Sequence, residues 1–349
     1  MKKIIHKITN WESWPFKLIY APLVPIWIYY IIKSRSVWFF TSSNPKITFG
    51  GMEGEPKREM YDLLEKKLYP ITLNVSPGDN INDVLQQIQI AGISYPFIVK
   101  PDVGGQGILF RKIDNLDQLQ KYHAAVPVEY IIQEMIKYPM EVSVFYIRHP
   151  KSTTGKITGF LHKIPLQVVG NGKSTLAELI SVHPKASKRM KELFMKHTEK
   201  WNEVLKSEEI YKLSYAANHN RGAQFIDLKN HIDQQLINVF DEISIQVDDF
   251  YYGRYDIMCN SINDLKEGKN FSILEYNGCG AEPNHFYDTG YTLMNAYKEI
   301  LSHWHDLYIV CTYNRKNGVK PWSFLKGYYF LNKTNKLFEK MRIADKDII

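Results

Sequence analysis

The fold of this chain is constrained most by two short alternating runs, Arg254-Tyr255-Asp256 and Leu274-Glu275-Tyr276-Asn277. Side chains two apart on a strand share a face, so Arg254 goes with Asp256 and Glu275 with Asn277. Between the runs lie Asn260-Ser261-Ile262-Asn263-Asp264 and Glu267-Gly268-Lys269-Asn270, which are turn-forming residues and predict a loop-closed antiparallel pair. Two carboxylates and a carboxamide are oxygen donors suited to a hard cation. Mg2+ usually binds through one or two carboxylates plus substrate phosphates, so a nucleotide is the expected substrate.

Two more clusters lie upstream. Tyr95-Pro96-Phe97-Ile98-Val99-Lys100 reads as a strand ending in a lysine, followed directly by Pro101-Asp102-Val103-Gly104-Gly105-Gln106-Gly107. Glycines let backbone N–H groups approach phosphate oxygens, and a lysine adds a point charge. Taken alone, such a loop is more often a tight turn after a strand. The run Tyr130-Ile131-Ile132-Gln133-Glu134-Met135-Ile136 and the strand-like Met140-Glu141-Val142-Ser143-Val144-Phe145-Tyr146 come next. Their connecting backbone suits an adenine, and Glu141 suits ribose hydroxyls, although single glutamates are more often solvated charges.

In this order the clusters resemble the ATP-grasp superfamily, specifically its carboxylate-amine ligases such as D-alanine-D-alanine ligase and the ligase part of cyanophycin synthetase. The resemblance runs from about Ile81 to Asp288. It implies an α+β fold in which two α/β subdomains clasp ATP, here behind a short apolar N-terminal extension. It also implies roles. Lys100 would contact the α- and β-phosphates, Gly104, Gly105 and Gly107 would cover them as a flap, and Glu134 and Glu141 would serve the adenine-ribose pocket. Asp256, Glu275 and Asn277 would ligate two Mg2+ ions, with Mn2+ as a substitute, and Arg254 would steady the reacting phosphoryl group. Lys163 stands where the family often has a second basic residue, and Arg221, in Asn218-His219-Asn220-Arg221-Gly222, would bind an acyl phosphate or a substrate carboxylate. For both, an ordinary surface charge is the competing reading.

Other motifs weigh less. Gly170-Asn171-Gly172-Lys173-Ser174-Thr175 imitates the end of a P-loop, but Gln167 stands where the first glycine would be needed, so it reads as a turn and helix cap. His162, His219 and His285 show no zinc spacing with cysteine or another histidine, which favours surface or hydrogen-bonding roles. Cys259, Cys279 and Cys311 cannot all pair, as expected in a reducing compartment. Cys279 reads as a small buried residue. A net charge of +7 is spread over many lysines without a nucleic-acid module, so nucleic acid is not an expected partner.

The 349 residues are expected to divide into an apolar segment (1–40), a glycine-rich linker (41–80), the ATP-grasp region (81–311) and a basic aromatic end (312–349). Leu18 to Ile32 carries no charge but contains Pro22 and Pro25 and is shorter than the about 20 residues that a spanning helix needs. Lysines flank it on both sides, Lys2, Lys3 and Lys7 before and Lys33 after, and no small-residue cleavage site follows. The expectation is a membrane-surface element at the cytoplasmic face, attracted to anionic lipid, with packing on the protein's own core or a partner subunit as the alternative. The loop from Asn44 to Lys57 is expected to line an acceptor site. After Asn277, Gly278-Cys279-Gly280-Ala281-Glu282-Pro283 replaces the usual Pro-Gly and serine segment of the dipeptide ligases, which argues against D-alanine. The reading is an ATP-dependent ligase joining a small-molecule or peptide carboxylate to an amine, with a second copy of the chain as a further partner. The rivals are a phosphotransferase on the same fold and a non-catalytic ATP-binding membrane scaffold.

Overall fold

The computed structural model describes residues 10–247 and 250–347, so Lys2, Lys3 and Lys7 lie outside the described residues. The strands, in chain order, are β1 (Thr72–Val75), β2 (Phe97–Pro101), β3 (Arg111–Ile113), β4 (Tyr130–Glu134), β5 (Met140–Ile147), β6 (Lys156–Ile164), β7 (Gln167–Val169), β8 (Ile210–Lys212), β9 (Gln224–Asp227), β10 (Tyr252–Cys259) and β11 (Phe271–Asn277). With helices among them, this is the expected α+β architecture. The chain forms two compact units, one of Met1–Pro70, Tyr138–His162 and Ile226–Lys336, the other of Ile71–Lys137, Lys163–Phe225 and Leu337–Ile349.

The first unit is built on a five-stranded sheet in the order β11-β10-β5-β6-β9. One face packs on the helix Gln234–Val247. Phe240 meets Tyr255 there at 5.2 Å between ring centroids, and Arg148 Nε donates to Ser244 Oγ at 2.9 Å. The other face carries Phe145 and Tyr252 in a core shared with Tyr30, Phe39, Phe40, Phe49, Leu307 and Cys311. The helix Leu293–Lys316 and the aromatic N-terminal segment supply most of that core.

That N-terminal segment is helical from Phe16 to Ser34, a 19-residue stretch long and apolar enough to cross a membrane by length and composition alone. Pro22 and Pro25 do not break it, because each stands in the first turn of a new helical piece, where a missing N–H has no partner to lose. Ile19, Leu23 and Tyr30 are buried, and Trp27 packs on Trp304 at 4.9 Å, whereas Phe16, Leu18, Ile28, Tyr29 and Ile32 are exposed. One side therefore packs on the unit's own core and the other faces outward.

The second unit holds an antiparallel sheet in the order β1-β4-β2-β3. Phe97, Val99, Tyr130 and Ile132 form its core with Val84, Ile88, Leu119, Tyr122, Phe338 and Met341. A two-stranded ribbon, β7 with β8, has a separate core around Leu166, Leu176, Ile180 and Leu205. The P-loop imitation is a turn and a cap. Asn171 Oδ1 accepts from the Lys173 and Ser174 N–H groups, and Thr175 and Glu178 form a reciprocal capping box for the helix Leu176–Val182.

Candidate functional site

In the first unit β10 and β11 pair antiparallel, with Arg254 opposite Asn277 and Asp256 opposite Glu275. Alternation and register together put all four side chains on one face of the sheet. The turn-forming stretch between the strands encloses a single helical turn, Ile262–Lys266, capped by Ser261. The register slips just after Asp256, leaving Leu274 unpaired, and the Tyr61 hydroxyl takes the Leu274 carbonyl at 2.7 Å. The donors of the site thus stand beside a bulge that a third element holds in place.

Asp256 is 7% exposed and accepts from Arg254 through both oxygens, Oδ2 from Nη2 at 3.1 Å and Oδ1 from Nε at 3.3 Å. Asn277 Nδ2 adds a longer contact to Oδ2 at 3.4 Å. Arg254 Nη1 also donates to the Glu282 carbonyl at 3.2 Å. Burial works against the Arg254 charge, but Asp256, with Glu275 and Glu282 behind it, more than offsets this and holds the guanidinium pKa above its usual value. Register places Ser143 opposite Asp256 and Glu141 opposite Met258, so both share the face of Asp256. Glu141 is half-buried.

Two residues of this surface were not expected from the sequence. Lys57 Nζ lies 3.4 Å from Glu275 Oε1, and Glu55 Oε2 is shut off from solvent with no hydrogen-bond partner. Burial pushes the Glu55 carboxyl up to about 7 against the pull of Lys57. Both belong to the segment expected to line an acceptor site, and within this unit it lies against the end of β11. Asn44 fixes its start. Its Nδ2 donates to the Tyr252 carbonyl at 2.8 Å and the Gly50 carbonyl at 3.1 Å, and its Oδ1 accepts from the Tyr251 and Tyr252 N–H groups. Gly51, at φ 74°, passes so close to Gly278 that an added Cβ would sit 2.6 Å from its Cα. The Gly50-Gly51 pair was the signal for this close approach. Nothing in the sequence tied it to Asn277-Gly278.

In the second unit Lys100 is half-buried near the end of β2, opposite Ile131, and alternation turns it away from the core positions Phe97 and Val99. The loop that follows contains three left-handed residues, Gln106 at φ 57°, Gly107 at φ 69° and Leu109 at φ 56°. Arg221 Nε donates to the Gln106 carbonyl at 2.6 Å, and a Cβ on Gly107 would come within 3.0 Å of that nitrogen. Gly105 has open space where its side chain would be, while Gly104 rests on Pro101. Arg221 is therefore no free surface charge: it braces the glycine loop. Burial lowers its pKa. Nearby, Arg189 and Lys196 bond to Glu192 and overcome its own burial to hold that carboxyl at about 2.

Lys163, on β6, is 4% exposed, which sets aside the surface-lysine reading. Glu134 ends β4 and is exposed, three residues before the chain leaves the second unit after Lys137. The histidines differ from the surface reading. His162 is half-buried, and its pKa is lowered by that burial. His285 is fully buried and comes against Glu299 and His303. The spacing Glu299-x-x-x-His303, one face of a helix, was the legible sign of that cluster. All three cysteines are buried and free, and Cys279 is inert packing as expected.

No protein-family model matches the chain, and no curated protein matches it either. Among solved structures, it is similar to a D-alanine–D-alanine ligase from Bacillus anthracis, with 12% identity over 75% of this chain and 69% of that one at a TM-score of 0.41. It is also similar to the VanG D-Ala:D-Ser ligase from Enterococcus faecalis (15% identity, 74% of this chain and 62% of that one, TM-score 0.39). A bifunctional glutathione synthetase from Pasteurella multocida gives 13% identity, 72% and 36% coverage and a TM-score of 0.37. The chain spans about a third of the length of the glutathione synthetase, and at these scores the likeness concerns chain path and says nothing of substrate.

Proposed function

We propose that this chain is an ATP-dependent carboxylate-amine ligase of the ATP-grasp type, forming a C–N bond with release of ADP and phosphate. The observation that carries the reading is the row of Asp256, Glu275 and Asn277 on one sheet face, with Arg254 and Lys57 against the carboxylates. Three oxygen donors of this kind fit hard divalent ions, Mg2+ or Mn2+, and do not fit soft ones. When bound, such ions neutralise the charge on the ATP phosphates. Lys100 and the backbone of Gly104, Gly105 and Gly107 would bind phosphate oxygens, with Arg221 keeping that loop in shape. Glu134 and Glu141 would serve the adenine and ribose.

The chemistry needs no enzyme nucleophile. A substrate carboxylate oxygen attacks the terminal phosphorus of ATP, the bond to the β-phosphate oxygen breaks, and ADP leaves an acyl phosphate. The amine then attacks the acyl carbon, phosphate departs, and the amine's proton is released. Arg254 and Lys163 would hold the transferring phosphoryl group through its charge build-up. Glu55, with its raised pKa, is suited to take the amine's proton near neutral pH.

The test is ADP release by the purified chain with ATP and Mg2+ across a panel of amino acids, dipeptides and lipid carboxylic acids, with and without amines. ADP and phosphate appearing only with acid and amine together supports the ligase. ADP with a single acceptor and no phosphate indicates a phosphotransferase, and ATP binding without turnover indicates a scaffold. We further propose a cytoplasmic location at the inner membrane face. Its support is the exposed row Phe16, Leu18, Ile28, Tyr29 and Ile32, together with exposed Phe324, Leu325, Tyr328 and Tyr329 on the helix Phe324–Asp347 of the same unit. Sedimentation with anionic vesicles, weakened in Ile28→Ser/Ile32→Ser, is the expected result. Equal recovery with and without vesicles would contradict it.

A further inference from the structure

His285 stands in the short turn Asn284–Phe286, and Glu299 and His303 lie one turn apart on the helix Leu293–Lys316. Both imidazoles are buried, at 5% and 1% exposure, while the Glu299 side chain keeps 27%. His285 Nε2 is 3.1 Å and His303 Nε2 is 3.2 Å from the same oxygen, Glu299 Oε1. Despite these distances, none of the four ring nitrogens has a hydrogen bond of acceptable direction. Buried polar atoms left this way cost about 1–3 kcal/mol each, so a cluster of four calls for a partner.

The three groups converge. One nitrogen from each ring and one Glu299 oxygen all lie within 4.8 Å of one another. A tetrahedral ion bound at about 2.0–2.1 Å holds its ligand atoms roughly 3.3 Å apart, close to both nitrogen–oxygen separations here. The sequence makes room for the arrangement. Gly159 faces the His285 ring so closely that a Cβ there would lie 2.3 Å from Nδ1. Phe145 packs edge-on against His303 at 4.4 Å between ring centroids, which closes that side with apolar surface.

We propose that His285, Glu299 and His303 bind a divalent transition-metal ion of the Zn2+ class, separate from the oxygen-donor row on β10 and β11. Two imidazoles and one carboxylate select late first-row ions over Mg2+ and Ca2+. The ion ties the segment after β11 to the helix Leu293–Lys316. Three residues before His285, the Glu282 carbonyl accepts from Arg254, so the tie also steadies Arg254.

The test uses the full chain purified without chelator, equilibrated with Zn2+ or Co2+ and desalted. The expected result is one retained equivalent of Zn2+ and the intense visible absorption of low-symmetry four-coordinate Co2+. Glu299→Gln and His285→Asn should each weaken binding about 10–100-fold, and Asp256→Asn should leave it unchanged. Retention equal in wild type, Glu299→Gln and His285→Asn would overturn the proposal. If those variants do not fold, the wild-type Co2+ spectrum decides alone. Its absence, with no zinc retained, means a buried charge cluster only.

Discussion

The acidic strand pair of the first unit and the glycine loop of the second are held by opposite means. Asp256 and Glu275 face each other on adjacent strands, where like charges repel, and each is met by its own cation, Arg254 or Lys57. Paired strands, a bulge clasped by Tyr61 and the Asn44 network fix that surface before any ligand arrives. The glycine loop joins two paired strands, β2 and β3, but lies outside their ladder. Three left-handed residues shape it, and one arginine, Arg221, braces it through a backbone carbonyl. A set of anionic donors for a cation has to be arranged in advance against its own repulsion, whereas a cradle for phosphate needs backbone N–H groups left accessible. Substitutions in the strand pair should therefore abolish chemistry, and those in the loop should weaken ATP binding.

The largest effect is expected from Glu275→Gln or Asp256→Asn, which should lower ADP release by about 10²–10³-fold with circular dichroism unchanged. Lys100→Ala, on the loop side, should raise the KM for ATP by roughly 10–100-fold and leave kcat less affected, since one charge-assisted hydrogen bond is lost. A dominant loss of kcat in Lys100→Ala would erase the contrast between the two regions. Asn44→Ala removes the hydrogen bonds of a buried side chain to the Tyr252 and Gly50 carbonyls, the Tyr251 and Tyr252 N–H groups and the Tyr276 hydroxyl, and should cost about 2–4 kcal/mol in urea unfolding at unchanged m.

Glu55 gives a prediction of sign. Its folded pKa of about 7 lies above the unfolded value, so its stabilising contribution is fully present below the unfolded pKa of about 4.3 and is lost as pH rises through 7. Glu55→Gln should flatten the fall in stability between pH 5 and 7.5, and an unchanged slope would show that the group is not buried as described. The smallest effect is expected from Lys57→Ala. Removing one partly exposed ion pair should shift the Mg2+ dependence by only about two- to fivefold, toward tighter binding.

Much of this was legible in the residues. Alternation in Arg254-Tyr255-Asp256 and Glu275-Tyr276-Asn277 gave the strands and paired the side chains within each, while the register that puts both pairs on one face came from folding. The lysine and glycines after Phe97 likewise gave a strand entering a loop. The sequence concealed contacts across long separations. Lys57 meets Glu275, Arg221 meets Gln106, and His285 meets Glu299 and His303 only after folding, and no local pattern joins them. Pro22 and Pro25 read as breaks because periodicity does not show which turn of a helix a proline will occupy.

The strand pair is proposed to bind a divalent ion together with ATP. Electron paramagnetic resonance of Mn2+ titrated with the chain tests it most directly, with and without ATP, in wild type and in Glu275→Gln. The expected result is an ATP-dependent loss of the free Mn2+ signal in wild type that persists in His303→Asn and disappears in Glu275→Gln. ATP binding of equal strength in wild type and Glu275→Gln, with Mn2+ remaining free in both, would contradict it.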